Sequence, residues 1–264
     1  MLIDAHAHLD MYGAEAEAAI TEINRRSILT ISNSMDLPSY EKNLELAERS
    51  PFVVPTFGIH PWNAPLWVRR LGELDTAIDR TPMLGETGLD HRFIEDEALY
   101  LPQQEVFEFL LAAAARTGKA VCVHTSGAER TVLHLLEKHG VTRVIVHWYA
   151  GPMNIMQDLV DRGALFTIGV AVTTSEHVRR IAAELPDHLL LTETDNPGAL
   201  EWLSGEPGMP SALDDVVAEL AHIRGTTPSG IERTVATNFA RLVRDDEGFS
   251  AVEADYFREG NHDV

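Results

Sequence analysis

The sequence is poor in three things, and each scarcity removes a class of protein. It has one cysteine, Cys122, so no intramolecular disulfide framework is available. Cys122 lies inside an apolar run, which marks it as a buried, inert thiol rather than a nucleophile. No stretch approaches the roughly 20 apolar residues needed to cross a bilayer. The opening Leu2-Ile3-Asp4 has neither a basic nor an apolar leader segment, so no secretory signal is expected. Together these features lead us to expect a cytoplasmic enzyme or binding protein. Positive charge is also scarce: 21 Lys and Arg face 41 Asp and Glu, a formal net charge of −20. That works against nonspecific attraction to nucleic acid, whose phosphates need a positive field. A nucleic-acid substrate still requires only that bound cations or a local arginine reverse the field near the site. No glycine-rich phosphate loop follows an early strand, which argues against an open dinucleotide-binding sheet.

What is present is a repeat. Short apolar, often β-branched runs fall at 2–4, 27–32, 52–57, 83–86, 120–124, 143–147, 164–168 and 189–193. Most are continuous rather than alternating, the pattern of parallel strands buried on both faces. Helical patterns lie between them, at 14–25, 39–48 (with Ser39 as N-cap), 103–117 and 129–139, the last two closed by Gly118 and Gly140. A Gly/Pro-punctuated loop at 201–209 and helices at 213–224 and 231–243 complete the chain, with an acidic tail from about 245. Strand and helix alternate about every 30 residues, the length of a βα unit. The expected fold is therefore α/β, a single (β/α)₈ TIM-like barrel occupying residues 1–264 as one domain.

The metal-capable residues fall at the C-terminal ends of these runs, the end of a barrel that carries the active site. Asp4-Ala5-His6-Ala7-His8 closes the first run and Gly58-Ile59-His60-Pro61 follows the third. Gly85-Glu86-Thr87-Gly88-Leu89-Asp90 ends the fourth, His124 the fifth, His147 the sixth and Glu193-Thr194-Asp195 the eighth. Alternate residues of a strand share a side, so His6 and His8 can reach one ion with Asp4 behind them. Imidazoles with carboxylates suit Zn²⁺, Mn²⁺ or related divalent ions, and the lack of thiolates argues against a closed structural zinc site. His6, His8, Glu86, His124, His147 and Asp195 are thus the candidate ligands for one or two divalent ions. His60, at a Pro-marked turn on the same rim, reads as a substrate contact rather than a ligand. His134, His139, His177 and His222 in helical stretches, and His91, His188 and His262 in loops, read as ordinary surface or packing residues.

These motifs, in this order and with Glu193-Thr194-Asp195-Asn196-Pro197 near the end, resemble the TatD family of metal-dependent deoxyribonucleases. The resemblance extends from residue 1 to about 242, and Asn238-Phe239 is similar to the family's closing Asn-aromatic pair. It implies that His6, His8, Glu86 and Asp195 hold one ion, with Glu86 bridging to a second held by His124 and His147. It also implies Zn, Mn or Mg as cofactor, single-stranded DNA as substrate, and Asp195 and Glu86 as the catalytic carboxylates, Asp195 taking a proton from the attacking water. Two departures bear on substrate. The family's Arg after the fifth-strand histidine is missing, since His124-Thr125-Ser126-Gly127-Ala128 has no Arg before Arg130. After His147 the family's Cys-Phe-Ser-Gly gives way to Trp148-Tyr149-Ala150-Gly151-Pro152, whose rings can stack on a base or pack at the rim. Lactonase-like relatives bridge two metals with a carboxylated lysine, but Lys42, Lys119 and Lys138 all miss the strand ends. The competing readings are a hydrolase of a small ester, amide or lactone, a mononuclear deaminase, and a non-catalytic barrel serving as a binding scaffold.

Overall fold

The computed structural model describes residues 1–244, 246–252 and 256–257. All eight expected strands are there: β1 Ile3–Ala7, β2 Leu29–Asn33, β3 Val53–Thr56, β4 Leu84–Gly88, β5 Val121–His124, β6 Val144–Val146, β7 Leu165–Ile168 and β8 Leu190–Thr192. Every sequential pair within a sheet is parallel. Between them run α1 Ala16–Arg26, α2 Leu37–Ala47, α3 Ala64–Trp67, α4 Asp75–Arg80, α5 Tyr100–Thr117, α6 Glu129–His139, α7 Met153–Asp161 and α8 Glu176–Glu184. After β8 come α9 Gly198–Ser204, α10 Ala212–Arg224 and α11 Pro228–Val243. Strands such as Val121-Cys122-Val123 and Val144-Ile145-Val146 are buried throughout, as the continuous apolar runs require.

The ring of strands is a TIM-like barrel whose ladder is interrupted twice. β1-β2-β3 form one sheet and β4 to β8 another. A single bridge, Phe57 with Leu84, and a hydrogen bond from Gly85 N to Phe57 O at 2.8 Å join β3 to β4. Between β8 and β1 the bonds come from loop backbone: Asp195 N to His6 O and His8 N to Asn196 O, both 2.9 Å. Both interruptions lie beside candidate ligands, so irregular pairing there frees the chain to aim side chains into the barrel mouth.

Three local expectations change. β1 runs through His6 to Ala7 and β4 through Glu86 to Gly88, past the expected ends at 4 and 86, so both ligand candidates lie within strands. α2 starts two residues early because Asp36, not Ser39, caps it: Asp36 Oδ1 accepts from Ser39 N at 3.0 Å, and Pro38 occupies the first turn. Ser39 Oγ instead accepts from Met35 N and donates to Asp10. The segment 201–209 is not all loop, because its start belongs to α9, ended by Gly205 at φ 84°. The start of the acidic tail is anchored, with Phe249 buried and Asp246 paired to Arg143 at 2.6 Å. Positions 245, 253–255 and 258–264, including His262, lie outside the described residues.

Candidate metal centre

Strand geometry brings the six candidate ligands to one point. His6 and His8 leave β1 on the same side, and their Nε2 atoms stand 3.2 Å apart. Glu86, in the middle of β4, is the hub. Its Oε2 lies 3.3 Å from His6 Nε2 and 3.2 Å from His8 Nε2, while its Oε1 lies 2.8 Å from both His124 Nδ1 and His147 Nε2. Asp195 closes the first group, its Oδ1 3.5 Å from His6 Nε2 and 3.2 Å from His8 Nε2. Asp195 sits at φ +50°, a left-handed conformation that Asp tolerates better than most residues. Among the described residues, three triplets have donor atoms mutually within 4.8 Å: His6-Glu86-His147, His6-His8-Asp195 and His60-Glu86-His124.

Backbone packing sets this geometry. Gly58 and Gly88 allow close approach: a β-carbon on Gly58 would stand 2.2 Å from Glu86 O, and one on Gly88 2.0 Å from His124 O. Asp4 does not back the histidines as the spacing suggested. It accepts from Thr194 N at 2.8 Å and Thr194 Oγ1 at 2.6 Å, tying β1 to the residue before Asp195.

Hydrogen bonds around the rings decide where their lone pairs point. His8 Nδ1 faces Asn33 O at 3.0 Å, an acceptor only, so a neutral ring carries its proton there and turns its Nε2 lone pair toward Glu86 and Asp195. His124 Nε2 faces Asp90 Oδ2 at 3.2 Å. Burial opposes the charge on Asp90, but bonds from His124, Phe93 N–H and the Trp62 indole outweigh it and hold Asp90 at about 2. An ionised Asp90 keeps the proton on His124 Nε2 and leaves Nδ1 free toward Glu86. His60 has the opposite polarity. Its Nδ1 accepts from Trp62 N at 3.2 Å, which puts the proton on Nε2, 3.4 Å from Glu86 Oε1. His60 is therefore a donor facing the hub, buried and held below the ordinary imidazole value by that burial.

The electrostatics favour a cation. Burial would raise the Glu86 carboxyl, but the surrounding imidazoles hold it well below the usual carboxylate range. Burial would lower His8, but Asp195 and Glu86 hold it well above its ordinary value. Against the same penalty, Glu86 and Glu193 hold His147 high as well. His6, by contrast, is pushed down to about 4 by burial and by His147, which stacks on it at 3.9 Å. Imidazole nitrogens and carboxylate oxygens, with two lone pairs already aimed inward, form a donor set that fits divalent ions. Cys122 Sγ contacts the far nitrogen of His6, Nδ1, at 3.2 Å, a placement its apolar surroundings did not reveal.

The site opens into a cleft of about 640 Å³. Trp148 lines it, at φ +37° with its N–H bound to Glu193 Oε1 at 2.9 Å. Tyr149 points the other way, 1% exposed, edge-on to Phe166 with its hydroxyl on Pro152 O. Arg130 lies in a separate small groove with Thr131 and Asn154, outside the cleft. His177, expected to be ordinary, also lines the cleft, its Nε2 against Gly151 O at 2.9 Å. Sequence reading missed Asp90 and Glu193 as partners of the candidate ligands His124 and His147, and Trp62, Arg92, Phe93 and Trp202 at the mouth. Asp90 and Glu193 stood inside recognised motifs, a usable signal; the rim residues are in loops and a short helix whose orientation no periodicity fixes.

The model of the TatD related DNase family matches residues 3–244. The metal-dependent hydrolase YabD of Bacillus subtilis is 26% identical over 259 residues, spanning 92% of this chain and 99% of YabD. The 3′-5′ ssDNA/RNA exonuclease TatD of Citrobacter koseri is 28% identical over 211 residues, 75% of this chain and 80% of that protein. Among solved structures, the TatD homologue YJJV of Escherichia coli superposes with a TM-score of 0.83 at 25% identity, covering 91% of this chain and 97% of its own.

Proposed function

The chain belongs to the TatD related DNase family and is a metal-dependent hydrolase, and from that premise we propose that it cleaves phosphodiester bonds at the ends of single-stranded nucleic acid. On this reading residues 1–264 act as one barrel domain with two divalent ions, Zn, Mn or Mg. His6, His8, Asp195 and Glu86 would hold one ion, and Glu86, His124 and His147 the other. The observation that carries the reading is the Glu86 carboxylate, whose two oxygens each face a different pair of histidines. Family membership alone would be met equally by a single ion.

Divalent ions held there would supply a nucleophile from water at neutral pH and offset the charge developing on a phosphodiester. The chain's own residues do the rest. Asp195, whose side chain keeps 17% of its surface open at the base of the cleft, takes up the proton released by water. His60 presents Nε2–H toward the reacting centre and can donate to a phosphate oxygen. Asn33 O and Asp90 keep His8 and His124 in the tautomers that face inward. Glu193 stands 3.4 Å behind His147 Nδ1, limiting rotation of that ring.

The test is hydrolysis of single-stranded DNA with free 3′ ends by metal-supplemented protein, beside RNA, lactone and carboxylic ester substrates. The wild type should cleave the nucleic acids, and the His6→Ala/His8→Ala variant should lose at least about a hundredfold in rate. Cleavage of only the lactone or ester would replace this substrate assignment with the small-molecule alternative.

A further inference from the structure

Large hydrophobic side chains are exposed at seven places among the described residues, and four of them, Met11, Trp62, Phe93 and Trp202, stand around the mouth of the metal cleft. Exposed apolar surface gathered at one opening marks a binding surface rather than random scatter. The aromatic members touch in sequence. His60 meets Trp62 with ring centres 4.8 Å apart, Trp62 meets Phe93 at 6.5 Å, Phe93 meets Trp202 at 6.3 Å, and Trp202 meets Trp148 at 6.1 Å. Each contact is edge to face, with interplanar angles between 75° and 87°. Each such contact uses the edge of one ring and a single face of its neighbour, and the exposure of Trp62, Phe93 and Trp202 leaves ring surface open toward the cleft. Trp202 is 67% exposed, and Trp62 and Phe93 are about half exposed. Charge on the same rim is sparse. Arg92 is the only Lys or Arg among the described residues lining the cleft, its guanidinium 5.7 Å from the Phe93 ring centre, and Glu129 lies there too.

We propose that the Trp62–Phe93–Trp202–Trp148 arch is a base-binding subsite that takes one nucleobase beside the scissile phosphate. This rests on the phosphodiesterase reading above and names the recognised unit as a terminal nucleotide rather than a length of strand. A groove that tracks a polyanion needs a row of cations; one arginine on a chain of net charge −20 cannot supply it. Flat aromatic faces supply affinity of another kind, because every base has a π-face to stack. The arch is also fixed to the reaction centre. Trp62 Nε1 donates to Asp90 Oδ2 at 2.7 Å, and the same oxygen holds His124. A base seated against Trp62 is thereby held at a set distance from the catalytic groups. A small aliphatic ester or lactone would gain little from these ring faces.

Binding to the metal-loaded, full-length protein separates this subsite from the reaction. Two probes are titrated calorimetrically: deoxyadenosine 5′-monophosphate, and deoxyribose 5-phosphate, which has the phosphate and sugar but no base. The wild type should bind the nucleotide at least about tenfold more tightly. The Phe93→Ala/Trp202→Ala variant, which keeps Trp62 and Trp148, should lower that ratio at least about threefold while changing deoxyribose 5-phosphate affinity by less than about twofold. Trp202→Phe, which keeps a ring face, should preserve most of the ratio, and its metal content reports that the site is intact. Equal affinity for both probes in the wild type, binding of neither, or an undiminished ratio in the double variant overturns the subsite. A base preference without any phosphodiester cleavage would sink the proposed reaction and leave the subsite standing; cleavage without base preference would do the reverse.

Discussion

Exchanging a single hydrogen atom of Gly88 for a methyl group tests how far backbone packing sets the position of His124. Gly88 sits at φ +147°, a conformation open to glycine and strained for any L side chain, and it pairs with His124 across β4 and β5. In Gly88→Ala the new β-carbon would lie 2.0 Å from His124 O, whereas real β-carbons essentially never come within 3.0 Å of such an atom. His124 O cannot swing aside cheaply, because it accepts from Leu89 N at 3.0 Å. The end of β5 must therefore retreat by about 1 Å, several times the roughly 0.2 Å tolerance of a metal–ligand distance. Retreat carries His124 away from Glu86 and disturbs its 2.8 Å contact, leaving the His6-His8-Asp195 group in place. Backbone strain alone costs about 1–3 kcal/mol, and at roughly 2–4 °C per kcal/mol the melting temperature should fall by about 2–12 °C. The assay is calorimetric melting of the purified variant with elemental analysis of bound metal. The expected result is a stable, folded protein that holds one ion where the wild type holds two. Gly13→Ala is the control, since Gly13 also has positive φ, at +54°, but a β-carbon added there would meet nothing within 4 Å. It should lose about 1 kcal/mol and no metal. A Gly88→Ala protein with full metal content and an unchanged melting temperature would refute the packing argument.

Three other outcomes follow from the same geometry. Affinity for short single-stranded oligonucleotides should depend weakly on salt, with log K falling against log[salt] at a slope of about −0.7 to −1.4, as one or two phosphate contacts require; a slope near −4 would mean that the strand is tracked along the surface. Apparent metal affinity should rise between about pH 6 and about pH 8, because His8 and His147 are held above the ordinary imidazole range and must release protons to a cation. Calorimetry in buffers of different ionisation heat would expose that release, and a pH-independent affinity would contradict it. Asp4→Ala removes both acceptors of Thr194 and should destabilise the fold by roughly 2–3 kcal/mol, measured by urea denaturation. A change below about 0.5 kcal/mol would show that the β1–β8 seam does not depend on that clamp.

Much of this was legible in the sequence because buried parallel strands write themselves as continuous apolar runs. Val121–Val123 and Val144–Val146 needed no neighbour to be recognised, and the residues following such runs had to meet at the barrel mouth. The gathering of the candidate ligands around Glu86 is a direct consequence. Tertiary contacts were another matter. That Asn33 O sets the tautomer of His8, or that Asp4 serves Thr194, depends on which strand lies beside which at a given height. Trp148 and Tyr149 are adjacent and chemically alike, yet the positive φ of Trp148 accompanies one ring lining the cleft and the other buried against Phe166. The short helix α9 presents Trp202 to the cleft, and no hydrophobic periodicity in seven residues could have set that rotation.

The role of Glu86 is tested most directly by weighing metal against protein. Wild-type chain and Glu86→Ala are each purified without chelator, equilibrated with the same divalent ion, stripped of loose metal and analysed by mass spectrometry. The expected result is two ions per wild-type chain and no more than one in Glu86→Ala, with the folded state preserved by circular dichroism. Equal metal content in the two proteins would contradict a centre built around that carboxylate.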